Sequence, residues 1–165
     1  SGPGRRLLAT GWAEDKQIKY AKPALAMPKL SYDCDVEDEI MTKLKDCPGS
    51  VVATTKAQKS NFKLYTPYTA TRQKALSEVI KQWWSPLADT GIADNKYLDN
   101  MADTPMEAYV NVRHRILTAL VIILKIMSEK DASQMAYDHT TGVGCAVKDC
   151  DSKGNIQVQC GYVMN

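Results

Sequence analysis

The sequence predicts an α+β fold, in which amphipathic helices pack on a β-sheet. Apolar residues recur with helical spacing in 33–47 and again in 71–86. Two runs with β-like composition, 142–150 and 155–163, are separated by turn residues near the C-terminus. The 165 residues are enough for one domain with its own core. We therefore expect a single domain spanning 1–165.

Charge and hydropathy exclude two classes of protein. Twenty-one basic residues against nineteen acidic ones leave a net charge of +2, which argues against a nucleic-acid-binding protein and gives no polybasic membrane signal. The longest apolar run, Ile116–Met127, is far shorter than the roughly twenty residues that a transmembrane helix needs. We therefore expect a buried helix or strand there and no membrane span.

The first long helix is predicted to follow a loop-rich N-terminal segment, 1–30, that contains short helical stretches. Either Asp33 or Asp35 can cap this helix. Its buried stripe has i, i+4 spacing, and the Pro48-Gly49 pair ends it. The residues of the stripe are Val36, Ile40 and Leu44.

Two short strands and a second helix are predicted next. The β-branched and aromatic residues of Val51–Thr54 and Phe62–Tyr65 are typical of strands. The clearest helical pattern begins near Thr71, and we expect Pro86 to end it. Its buried face consists of Leu76, Val79, Ile80 and Trp83.

The segment 88–130 has no single interpretation. Four Asp residues between 88 and 104 favour a solvated loop, without the spacing of a calcium-binding loop. Thr104 and Glu107 then form a capping box around Pro105, which predicts the start of a helix. The Val- and Ile-rich residues that follow are compatible with either a helix or a strand.

The C-terminal runs predict a β-hairpin with its turn at Ser152–Asn155. Cys145 and Cys150 lie on one arm and Cys160 on the other, so a disulfide can join the two arms. The chain has five Cys, an odd number, which leaves at least one thiol over if disulfides form. With no CxxC motif and two His in the chain, a structural zinc site is not expected.

Four motifs in order resemble a known family. They are "LSYDCDVEDEIMTKLKDC", "IKQWWSPLADTG", "ASQMAYDHTTGVGCAVKDC" and "VQCGYV". They are similar to motifs of the CAP superfamily (the SCP/TAPS domain), in particular of its nematode Ancylostoma-secreted-protein branch. The resemblance covers most of 29–162 and implies a secreted, three-layer α/β/α sandwich with a central, mostly antiparallel sheet. Relatives usually run further at the C-terminus, so the sequence leaves open whether this domain is truncated there.

The resemblance also implies a disulfide pattern. By analogy, Cys145 pairs with Cys160 and Cys34 pairs with Cys150, which leaves Cys47 as a free thiol. A free Cys47 allows either a monomer or a dimer linked through that residue.

The family's cleft holds two His and two Glu, often around a divalent metal. In this sequence the first His is missing after Cys47. The resemblance places Ser60 and Pro86 at the two Glu positions, and it places Asp131 at the second His. The two His of the chain, His114 and His139, lie at neither His position. The segment Gln134–Tyr137 is then structural, and we expect no catalytic residue, no metal and no cofactor.

These substitutions favour a non-enzymatic secreted protein of the parasite type. We expect it to bind a host cell-surface or plasma protein and to modulate immune or haemostatic responses. The binding candidates lie in the acidic loop and at the hairpin tip: Asp89, Asp94, Asp99, Lys153 and Asn155. The alternative is a lipid or sterol carrier with Ile116–Met127 lining its pocket. A metal-dependent hydrolase is the weakest hypothesis.

Overall fold

The computed structural model describes residues 3–24, 27–92 and 140–164. The N-terminal segment forms helix α1, Pro3–Thr10, and a small hairpin. Strand β1, Glu14–Asp15, pairs antiparallel with β2, Lys19–Tyr20. The sequence predicted the short helix within a loop-rich region, but it did not predict the hairpin.

A four-stranded sheet lies at the centre of the fold. Its strands are β3 (Ser31–Tyr32), β4 (Lys59–Tyr65), β5 (Thr140–Cys150) and β6 (Asn155–Met164). Their order is β3-β5-β6-β4, with β5 and β4 each antiparallel to β6 and β3 parallel to β5. The predicted C-terminal hairpin is confirmed. The predicted strand Phe62–Tyr65 is also confirmed, and it begins earlier, at Lys59.

Helix α2, Cys34–Lys43, covers one face of the sheet. The Asp33 carboxylate caps it by accepting a hydrogen bond from the Val36 N–H at 3.0 Å. Val36, Ile40 and Leu44 are fully buried, as the spacing predicted. A Cβ atom added at Gly161 would lie 2.8 Å from Val36 Cγ1. The close approach of the helix to the sheet therefore requires glycine at this position.

Helix α3, Arg72–Asp89, covers the opposite face. The Thr71 hydroxyl caps it by accepting from the Lys74 N–H at 3.2 Å. The buried face of α3 packs on β6 side chains that alternate with those under α2. The contacts are Ala75, Val79 and Trp83 with Ile156, Val158, Cys160 and Tyr162. The structure is therefore the predicted three-layer α/β/α sandwich with a mostly antiparallel sheet.

The prediction that Pro86 ends the second helix is wrong, because α3 continues to Asp89. Proline lacks the N–H that would bond the carbonyl four residues earlier, which here is that of Gln82. The Ser85 hydroxyl donates to the Gln82 carbonyl at 3.3 Å instead. Beyond the proline, the Thr90 N–H donates to the Pro86 carbonyl at 2.8 Å and closes the last turn.

The predicted strand Val51–Thr54 is also wrong, since these residues have no regular structure. The fully buried side chain of Gln159 binds them instead. Its Oε1 accepts from the Val52 N–H at 2.9 Å, and its Nε2 donates to the Val52 carbonyl at 2.8 Å. A side-chain amide thus satisfies the backbone groups that a neighbouring strand would otherwise satisfy.

The disulfides correct one of the two implied pairings. The structure joins Cys145 to Cys160 directly across the β5–β6 ladder, as the resemblance implied. Cys150, however, pairs with Cys47, with Cα atoms 6.0 Å apart, and Cys34 is the free, exposed thiol. The predicted Cys34–Cys150 bond and the free Cys47 are therefore wrong, and so is a dimer linked through Cys47.

The reason is that α2 runs alongside β5. Its first turn lies near Val143, whose carbonyl accepts from the Asp33 N–H at 2.9 Å. From there to Cys150 the strand extends over about 20 Å. Cys34 is therefore far beyond the roughly 7 Å between Cα atoms that a disulfide tolerates. Cys47, which follows the far end of the helix, is within reach.

Several predictions fall on residues outside the described ones. They concern the segment 105–130 with Ile116–Met127, the candidates Asp94 and Asp99, the substituted position Asp131, and both His residues. Among the helices that the structure describes, none has the length and hydropathy to cross a bilayer.

Candidate functional site

The two described cleft positions, Ser60 and Pro86, do not come together. Ser60 pairs with Gly161 across the β4–β6 ladder, so it lies on the sheet face covered by α2. Pro86 is buried on α3, three residues after Trp83, which packs on the opposite side of the sheet. The sheet therefore separates two residues that one cleft would bring together.

The neighbouring residue of β4, Asn61, lies on the α3 face. Its side chain is buried, and its Nδ2 donates to the Tyr162 hydroxyl at 3.2 Å. A shift of one residue along a strand moves a side chain to the other face. The assignment of Ser60 to a family Glu position stays a prediction. Asn61 is a buried polar residue of β4 on the α3 face, and the sequence analysis did not single it out.

Metal-ligand chemistry is not supplied by the described part of the cleft. Within 3–24, 27–92 and 140–164, no three His, Cys, Asp or Glu side chains form a group that could hold a metal ion. Pro86 has no donor atom on its side chain, and Ser60 is on the wrong face. The described residues therefore do not fit the divalent metal that the resemblance associates with this cleft. The expectation that the whole chain binds no metal and no cofactor stays a prediction, because Asp131 and both His residues lie outside the described residues.

An apolar cavity of about 290 Å³ lies between α1, α3 and the sheet. Its walls include Leu76, Ile80 and Trp84 from α3 and the Cys145–Cys160 disulfide. The remaining lining residues are Arg5, Leu30, Tyr32, Val143 and Tyr162. This cavity is at the lower end of the size range of small-molecule sites.

Tyr32 supplies a polar group at the wall of this cavity. Its hydroxyl donates to the Glu37 carboxylate at 2.6 Å and lies 3.3 Å from the Cys145 carbonyl. Partial burial, followed by the hydrogen bond to Glu37, raises the pKa of Tyr32 to about 12. The hydroxyl therefore stays a neutral hydrogen-bond donor throughout the physiological pH range.

The predicted binding residues at the hairpin tip have structural contacts. Lys153 Nζ donates to the Cys47 carbonyl at 2.6 Å, which ties the tip to the loop after α2. Asn155 Nδ2 donates to the Lys153 carbonyl at 3.1 Å within the turn. Asp89 is exposed in the last turn of α3. The described candidates thus do not form one shared site.

Sequence reasoning missed an exposed apolar surface at the N-terminal hairpin. Trp12 and Tyr20 are 65% and 41% exposed, and their ring centroids are 5.8 Å apart. Leu7, whose carbonyl accepts from the Trp12 N–H at 2.8 Å, and Ile18, two residues before Tyr20, are also exposed. We call these four residues the aromatic face. A Trp that follows a glycine between two short elements was the available signal, but it does not reveal exposure.

A family comparison covers nearly all of this structure. The model of the CAP family, described as the cysteine-rich secretory protein family, matches residues 6–163. The chain belongs to the CAP family. The domain is also 27% identical over 169 residues to an Ancylostoma secreted protein of Ancylostoma caninum. That alignment covers 98% of this CAP chain and 32% of the relative, so the chain spans about a third of the relative's length.

Solved CAP structures share the fold. NaASP2, crystallised with Zn²⁺, superposes with a TM-score of 0.74 at 23% identity, over 96% of this chain and 72% of that one. Na-ASP-1 superposes with a TM-score of 0.68 at 24% identity, over 98% of this chain and 35% of that one. These likenesses support the α/β/α sandwich of this CAP domain.

Proposed function

We propose that this CAP protein is a secreted binding protein that acts without catalysis, as a single domain over 1–165. Its partner is a host cell-surface or plasma protein, and binding modulates immune or haemostatic responses. The observation that carries this proposal is Pro86. At a position where the resemblance implies a carboxylate of the family, this buried residue can neither transfer a proton nor hold a metal.

The disulfide-bonded scaffold is suited to binding a partner protein. Two disulfides join the β5–β6 hairpin internally and to the loop after α2. Such bonds persist in oxidising compartments, which supports secretion. A rigid scaffold of this kind can present loops and surface residues to a partner.

The test is binding of the protein, expressed with its disulfides, to host leukocytes, platelets and immobilised plasma proteins. We expect saturable binding of fluorescently labelled protein to at least one of these, displaced by excess unlabelled protein. Chelation with EDTA should leave binding unchanged. If no target binds saturably, the proposal is wrong. If the protein shows a hydrolase activity that EDTA abolishes, the non-enzymatic assignment is wrong.

The cavity against α3 favours a second candidate function, carriage of a small lipid or sterol. Its walls are mainly apolar, which would stabilise a hydrocarbon ligand by removing it from water. The sequence suggested that Ile116–Met127 lines the ligand pocket, and that segment lies outside the described residues. Leu76, Ile80 and Trp84 line the cavity described here.

Native mass spectrometry before and after denaturation tests the carrier function. A stoichiometric lipid-sized adduct on the native protein would support it. Ile80→Trp should fill the cavity and remove the adduct, whereas Tyr68→Trp, at an exposed position outside the lining, should not. Lipid binding at this site would be contradicted if the adduct survives Ile80→Trp. It would also be contradicted if protein expressed in cells supplied with lipid carries no adduct.

A further inference from the structure

The aromatic face (Leu7, Trp12, Ile18 and Tyr20) departs from the usual burial of large aromatic residues. Trp12 is 65% exposed, whereas Trp83 is 6% exposed in the core of the same chain. Trp12 and Tyr20 meet edge to face, with an angle of 72° between their rings. Trp and Tyr are enriched at the energetic centres of protein interfaces, because they combine large apolar area with few rotatable bonds.

Buried Asp15 fixes the backbone beneath this face. Its Oδ1 accepts from the Gln17 N–H at 2.7 Å and from the Ile18 N–H at 3.2 Å. Its Oδ2 accepts from the Ile92 N–H at 2.6 Å, just beyond the end of α3. The Gln17 side chain adds a hydrogen bond from Nε2 to the Gly91 carbonyl at 2.9 Å. The hairpin is therefore held in place before any partner binds, which lowers the entropy lost on binding.

Exposed cations outnumber exposed anions in the segment that carries the aromatic pair, with Arg6, Lys16 and Lys19 against Glu14. Lys19 has a φ of 72°, a left-handed conformation that is unfavourable for a residue with a side chain. Its Nζ lies 5.6 Å from the centroid of the Tyr20 ring. Lys16 in the turn and Arg6, next to Leu7, are also exposed. This combination of rigid aromatic rings and exposed cations is complementary to an acidic partner with an apolar anchor.

We propose that the aromatic face binds an acidic segment of a partner protein that inserts an apolar or aromatic side chain beside Trp12 and Tyr20. This inference rests on the proposed function and names the surface and the partner chemistry. A protein fits better than an anionic bilayer, because the contact between Gln17 and Gly91 holds the turn against α3, so the aromatic rings do not project from a free tip.

A random dodecapeptide library displayed on phage, selected on the full chain, tests the proposal. We expect the selected peptides to be rich in Asp and Glu and to contain Trp, Tyr, Phe or Leu. The affinity of the strongest synthetic peptide is then measured by calorimetry. Trp12→Ala should weaken it by at least about thirty-fold, as at interface hot spots. Lys19→Glu and higher salt should weaken it as well.

Matched controls separate the aromatic face from general surface effects. Tyr68→Ala removes an aromatic side chain with 51% exposure outside this face, and Lys63→Glu reverses an exposed charge on β4. Both variants should bind the peptide as the wild type does. Neutral or basic selected peptides, or equal binding by Trp12→Ala, would overturn the proposal. Binding to phosphatidylserine vesicles that depends on Trp12, with no peptide selected, would assign the face to membranes instead.

The host-cell assay distinguishes this proposal from the function on which it rests. If the wild type and Trp12→Ala bind host cells equally, the function stands and the role of the aromatic face is wrong. If the wild type binds no host target, the proposed function fails, whatever peptides the face selects. Circular dichroism should show that Trp12→Ala folds normally, because its side chain is mainly exposed.

Discussion

Gly144 and Gly161 face each other across the β5–β6 ladder, and α2 packs over both. A Cβ atom at Gly144 would lie 2.5 Å from the Asp33 carbonyl oxygen and 2.7 Å from the Glu37 nitrogen. Those atoms belong to the helix backbone and cannot move aside as a side chain can. The glycine pair therefore sets how closely α2 approaches the sheet.

Gly144→Ala should destabilise the protein by about 1–3 kcal/mol, because the added methyl group forces the first turn of α2 away from the sheet. Chemical denaturation measures the change in the free energy of unfolding. Gly142→Ala, two residues earlier in β5, is the matched control. Its Cβ would meet the Val163 side chain at 3.2 Å, so a smaller loss is expected. Equal stability of Gly144→Ala and the wild type would contradict this packing.

The disulfide between Cys47 and Cys150 should contribute strongly to stability, whereas the free thiol of Cys34 should contribute little. The two residues are 103 positions apart, and closing so long a loop constrains the unfolded chain by up to roughly 4–5 kcal/mol. Cys47→Ser should therefore lower the free energy of unfolding strongly, whereas Cys34→Ser should leave it unchanged. Non-reducing peptide mapping should find Cys47 linked to Cys150 and native alkylation on Cys34. A peptide linking Cys34 to Cys150 would show this pairing to be wrong.

Removal of the Asp15 carboxylate should loosen the N-terminal hairpin. Asp15→Ala leaves the N–H groups of Gln17, Ile18 and Ile92 without their acceptor, and an unsatisfied buried group costs about 1–3 kcal/mol. Hydrogen exchange at these three amides should accelerate. Glu14→Ala, at the exposed neighbouring position, should leave them protected. Unchanged exchange in Asp15→Ala would show that the Asp15 carboxylate does not hold these three amides.

Glu39 should make stability depend on pH in the acid range. Its carboxylate accepts from Lys43 Nζ and from the N–H groups of Thr55 and Lys56. These bonds, that of Lys43 first, lower the pKa of Glu39 to about 2, compared with about 4.3 in an unfolded chain. The folded state thus favours the ionised form. Its stabilising effect is complete above the unfolded pKa and is lost as the pH falls towards 2.

The measurement is the stability of the wild type and Glu39→Gln against pH. The difference between them should be constant near neutral pH and shrink between about pH 4.3 and pH 2. Glu78→Gln serves as the control, because Glu78 lies on the exposed side of α3 and its carboxylate pairs with Lys81 there. A Glu39→Gln difference that stays constant down to pH 2 would show that the loop does not hold this carboxylate.

Local patterns explain the parts of the fold that were predicted correctly. Asp33 caps α2 because a carboxylate can reach the N–H of Val36, three residues away. The spacing of Val36, Ile40 and Leu44 reports a buried face without reference to the rest of the chain. In contrast, the helix continues through Pro86 because its neighbour Ser85 can satisfy the Gln82 carbonyl. Propensity alone could not indicate this compensation.

The sequence by itself determined the family, the two principal helices and the terminal hairpin, because capping, periodicity and motif order are properties of neighbouring residues. Only the tertiary structure decided that Cys47 rather than Cys34 reaches Cys150, since that depends on the direction in which α2 runs along β5. It also placed Asn61, rather than Ser60, on the α3 face, since strand register sets which way each side chain points. Finally, it brought Trp12 to the surface beside Tyr20, because exposure is decided by how the hairpin packs against α3.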